Sequence, residues 1–72
     1  MDVIDRRDLC ARILEKNGIR IRYESLLGAE SGLCTIGGRE VLMIEISLTS
    51  AEQLAILEST AKTLERQNRS VA

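Results

Sequence analysis

The sequence predicts one α+β domain of order α-β-β-β-α, a small antiparallel sheet with two helices mainly on one face. Three observations carry this. Apolar residues recur at helical spacing near both ends of the chain, apolar and polar residues alternate strictly after the first helical stretch, and Gly37-Gly38 separates two apolar runs. A chain of 72 residues has room for one domain, so the domain is expected to span 1–72.

In residues 5–17, Leu9, Cys10, Ile13 and Leu14 fall on one helical face. Asp5 is the expected cap, and Asn17-Gly18 is a stop because glycine accepts the left-handed conformation that ends many helices. Residues 19–24, Ile-Arg-Ile-Arg-Tyr-Glu, alternate with period two and predict a strand with one buried face. Residues 26–32 have no period and read as a loop. Residues 33–36 form a short strand, and Gly37-Gly38 supplies the positive φ angles of a tight hairpin. The return strand, 40–46, has Leu42, Ile44 and Ile46 on one face and Val41, Met43 and Glu45 on the other. The place of the first strand in the sheet stays open, since it could flank either hairpin strand.

The last helix opens on Thr49-Ser50-Ala51-Glu52, a capping box in which hydroxyl and carboxylate satisfy free backbone N–H groups reciprocally. Its core stripe is Leu54, Leu57, Ala61 and Leu64, and Ile56 points away from it. The period fades after Gln67, and residues 68–72 are expected to fray.

Composition argues against several function classes. Ten Lys and Arg oppose eleven Asp and Glu with the signs mixed along the chain, whereas nucleic-acid binders carry a basic stripe. Tyr23 is the sole aromatic residue, which leaves no stacking platform for bases. The chain has no His, so the commonest general base and metal ligand is missing. No catalytic residue, metal site or cofactor is therefore expected. No apolar run approaches the roughly 20 residues that span a bilayer. The charged start Asp2-Val3-Ile4-Asp5-Arg6 lacks a signal-peptide pattern. These features, with only two cysteines, predict a cytoplasmic protein with reduced thiols.

Cys10 and Cys34 are expected to act as small hydrophobic residues, having neither a Cys-x-x-Cys partner nor a His to activate them. Gly28, Gly32, Gly37 and Gly38 match no phosphate-binding spacing and read as turn residues. If the first and third strands pair, Arg20, Arg22 and Glu45 share a polar face as solvated cross-strand partners. If the two helices cover the Leu42, Ile44 and Ile46 face, an apolar strip of Cys34, Ile36, Val41 and Met43 remains on the other, for a crossing helix or a second subunit to cover. These four residues, with Ile56 on the last helix, are the candidate interface.

The run Ser31-Gly32-Leu33-Cys34-Thr35-Ile36-Gly37-Gly38-Arg39-Glu40-Val41-Leu42, followed by Ser50-Ala51-Glu52-Gln53-Leu54, resembles a group of small uncharacterised bacterial proteins. In them a Gly-Leu-Cys strand, a Gly-Arg turn, a hydrophobic strand and a Glu-Gln helix recur. The resemblance implies a bacterial origin and no particular activity. The strand–strand–helix order is also similar to the unit that precedes catalysis in small zinc metallopeptidases, whose helix carries His-Glu-x-x-His. Here the comparable stretch is Leu57-Glu58-Ser59-Thr60-Ala61, with apolar residues at both ligand positions, so the zinc chemistry is not shared.

The expected function is a non-enzymatic protein–protein interaction module, a homodimer or a binder of another protein, using the open sheet face or an edge strand. Two alternatives remain from the sequence. One is a ligand-binding or enzymatic domain with its site in the 26–32 loop. The other is a nucleic-acid accessory protein contacting phosphate through Arg6, Arg7 and Arg12.

Overall fold

The computed structural model describes residues 1–67, and the order is the expected one: α1 (Val3–Lys16), β1 (Arg20–Glu24), β2 (Gly32–Ile36), β3 (Arg39–Glu45) and α2 (Ser50–Arg66). The expectation for residues 68–72 lies outside the described residues. Helix α1 starts earlier than the apolar period suggests. Asp2, not Asp5, is the N-cap, its carboxylate accepting from the Asp5 backbone N–H at 2.9 Å. The capping box of α2 is complete. Thr49 Oγ1 accepts from the Glu52 N–H at 3.2 Å, and Glu52 Oε1 accepts from the Thr49 N–H at 3.0 Å.

The sheet order is β1-β3-β2, with β1 parallel to β3 and β2 antiparallel to it. The sheet is thus mixed, which corrects the purely antiparallel expectation. The reason is burial. Strand β3 is the most apolar of the three and takes the centre, where both of its edges find partners and Val41, Leu42 and Ile44 are all buried. The first strand then fills the remaining edge of β3. The segment between β1 and β2 must cross the end of β3, a lateral step of roughly 10 Å that residues 25–31 span easily. Glu45 sits at that end and braces the crossing. Its carboxylate accepts from the Leu26 and Ser47 backbone N–H groups, both at 2.9 Å, and its own N–H donates to Ser31 Oγ at 3.0 Å.

Ile21 and Tyr23 share the helix-side face with Leu42 and Ile44, and Leu14, Ile19, Leu57 and Leu64 close the core over them. Complete burial of such a side chain contributes roughly 1.5–3 kcal/mol. The helices pack on each other, α1 on β1 and α2 on β3. Ile46 falls outside β3 and is exposed, so the apolar row of β3 ends at Ile44. Ile56 packs against the core at the flank of α2, which corrects the expectation that it points away.

Candidate functional site

Hairpin geometry determines what β2 offers to solvent. Gly37 (φ 58°) and Gly38 (φ 80°) form a two-residue turn with both central φ angles positive, which makes Ile36 and Arg39 a closely spaced hydrogen-bonded pair. In an antiparallel ladder such pairs alternate, so Cys34–Val41 and Gly32–Met43 are also hydrogen-bonded. Two contacts agree with this phase: Cys34 Sγ donates to the Val41 carbonyl at 3.5 Å, and the Glu45 N–H points toward β2 to reach Ser31. The N–H and C=O groups of Leu33 and Thr35 therefore point outward, away from β3.

No helix covers this strand. Leu33 and Leu42 are cross-strand neighbours on the helix-side face, yet Leu42 is 0% exposed and Leu33 is 38% exposed. Residues Leu33 to Ile36 are all exposed and none is charged. Beside β2, a shallow groove of about 300 Å³ runs along the flank of α2, lined by Ser31, Gly32, Ala55, Ile56, Ser59 and Thr60, again without a charge.

The open face holds the predicted strip in part. The register places Cys34 beside Val41 and Gly32 beside Met43, with Ile36 next along β2. Ile36 is 50% exposed and Met43 half-buried, while Val41 is only 4% exposed between Arg20 and Cys34. Ile56 does not join them, because α2 lies on the opposite side of the sheet. Leu33 and Thr35 were missed as site residues. Their signal is in the sequence, since alternation with Cys34 and Ile36 puts them on the helix side, but that the helices leave them exposed is not. Arg22 pairs with Glu24 at 3.0 Å rather than with Glu45, which is committed to the loop.

Elsewhere polar side chains tie the elements together. A groove of about 390 Å³ is lined by Arg7, Tyr23, Ile46, Leu48, Ser50 and Gln53. Within it the Arg7 guanidinium donates to Gln53 Oε1 at 3.1 Å and Ser50 Oγ at 3.4 Å, and pairs with Asp8 at 2.9 Å. It also lies 6.0 Å from the Tyr23 ring centroid. This cluster fastens α1 to the start of α2. Arg6 pairs with Glu58 at 3.5 Å, so two of the three arginines considered for phosphate contact are engaged within the chain. Burial, then the nearby Glu58 carboxylate, pushes the Cys10 thiol up, and burial raises the Tyr23 hydroxyl, so both keep their protons at neutral pH. Among the described residues no group of three Cys, Asp or Glu side chains could hold a metal ion, and no helix is long and apolar enough to cross a membrane.

Of residues 26–32, Ser31 and Gly32, the latter already in β2, line the groove beside α2. Its tip carries Leu27, 95% exposed and held at φ 51°, a conformation unfavourable for a branched side chain. Comparison with protein-family models, curated proteins and solved structures found no match to this chain.

Proposed function

We propose that the chain is a non-enzymatic protein–protein interaction module that works as a homodimer, joined through the outer edge of β2 and the apolar strip beside it. The observation that carries this reading is the edge itself. Strand β2 presents free backbone donors and acceptors, exposed apolar side chains on both faces and no charge. Monomeric proteins commonly block such an edge with lysine, proline, a bulge or a covering helix, and β2 has none of these. A domain this small also gains from a shared core, because it buries a modest fraction of its own surface. The free thiols suit a reducing compartment, and we place the module in the cytoplasm.

Size-exclusion chromatography with light scattering tests the proposal. A mass of about twice the 8.0 kDa chain, falling toward 8.0 kDa on dilution, is the expected result. A chain that stays at 8.0 kDa at high concentration, and in which Met43→Ser and Ile36→Ser change nothing, refutes it.

A further inference from the structure

We propose that two copies join as antiparallel β2 strands about a two-fold axis passing between their Cys34 residues, giving one continuous six-stranded sheet. This rests on the homodimer reading above and specifies its register.

The outward-pointing groups select that register. A two-fold axis between antiparallel edges must pair some residue with its own copy, and Leu33, Cys34 and Thr35 are the choices that overlap more than one residue of the strand. Centring on Thr35 sets Leu33 against the partner's Gly37, whose left-handed backbone at φ 58° cannot continue a ladder. Centring on Leu33 sets Thr35 against the partner's Ser31, which lies outside β2 and is occupied with the Glu45 N–H. Centring on Cys34 overlaps the whole strand, Gly32 to Ile36. Leu33 then exchanges both main-chain hydrogen bonds with the partner's Thr35, and Thr35 does the same with the partner's Leu33. Every outward group of the strand is satisfied.

Charge favours a second copy as the occupant. Along the open face Arg39 and Arg20 lie toward the hairpin end, while Glu45 and Glu24 lie at the loop end, Glu24 paired with Arg22 and Glu30 in the loop beyond. A two-fold axis reverses that order in the partner, so like-charged ends lie at opposite ends of the joint sheet and no charge abuts the seam, the charged row of β3 standing roughly 14 Å from its copy. Within β2 and the adjoining α2 flank no like charges meet, because none is present. The partner's strand also extends the sheet beneath the uncharged groove beside α2 and shields Leu33.

The register makes a geometric prediction. Cys34 bonds inward to β3, so the two Cys34 residues form a non-hydrogen-bonded pair with Cα atoms about 4.5 Å apart, inside the range of roughly 4.4–6.8 Å that a disulfide spans. Diamide serves as the ruler in the full chain carrying Cys10→Ala. Two thiols lose two protons and two electrons to diamide, which is reduced to its hydrazine, and an S–S bond forms between chains.

The expected result is a covalent dimer whose formation is at least about tenfold faster through Cys34 than through single cysteines placed by Leu33→Cys, Thr35→Cys or Ile36→Cys in a Cys34→Ser background. Light scattering on each variant confirms that it still associates. If the chain is dimeric but position 33, 35 or 36 cross-links as fast as Cys34, the register is wrong and the homodimer stands. A monomer by light scattering, with only slow collisional cross-linking, overturns both.

Discussion

Strand β1 carries Arg20, Arg22 and Glu24 on its open face and lies beneath α1, whereas β2, at the opposite edge of the same sheet, carries no charge and has no helix over it. Each strand pairs with β3 along one side only. Their difference is one of protection. Charges on β1 would have to shed water if another strand docked beside them, and α1 screens its buried side. On β2, docking buries Leu33 and Ile36 and satisfies two residues' worth of backbone groups. The two edges of the sheet therefore differ, β1 being charged and packed beneath α1 and β2 uncharged and exposed.

The largest expected effect contrasts neighbours on one row. Leu42→Ala removes a fully buried side chain from under both helices and should lower stability by about 2–5 kcal/mol. Leu33→Ala, its cross-strand neighbour, should cost under about 1 kcal/mol in dilute, monomeric protein. Urea unfolding of the two variants measures this, and equal losses would mean that β2 is covered after all.

Next comes the edge. Thr35→Pro deletes an outward N–H that β3 does not use, so it should raise the dimer dissociation constant at least about tenfold while the urea midpoint of the dilute monomer barely moves. Cys34→Pro deletes an inward N–H and should destabilise the monomer itself by about 1–3 kcal/mol. A Thr35→Pro protein that dimerises normally would break the comparison. Removing the β1 charges with Arg20→Thr and Arg22→Thr should conversely allow association beyond the dimer, read by light scattering.

A smaller effect tests a device outside the sheet. Thr49→Ala breaks the capping box and should cost about 1 kcal/mol without altering association.

The smallest is a pH dependence. Hydrogen bonds from the Leu26 and Ser47 N–H groups hold the Glu45 carboxyl below the usual glutamate value. Its folded value is depressed, so its stabilisation is complete above the unfolded value of about 4.3 and is lost as pH falls through the folded one. Glu45→Gln should flatten the acid limb of the urea midpoint below about pH 5, the exposed Glu52 retaining its own share. An unchanged acid limb would show that Glu45 does not brace the loop.

Most of the local structure was legible in the sequence because it answers to local physics. Gly37-Gly38 could only be a turn of positive φ, Thr49 to Glu52 satisfied its own backbone groups, and the alternation from Ile19 to Glu24 had one buried face whatever it paired with. Four of the five candidate interface residues, Cys34, Ile36, Val41 and Met43, share the open face for the same reason, since strand period alone assigns sides. Ile56 stands apart from them, half-buried at the flank of α2, because a helix flank is buried only by what lies beside it. Tertiary structure alone decided that β1 runs parallel to β3 and that neither helix buries β2. Those outcomes depend on burial summed over residues distant in sequence, which no local pattern contains, and they are what leave Leu33 and Thr35 facing solvent.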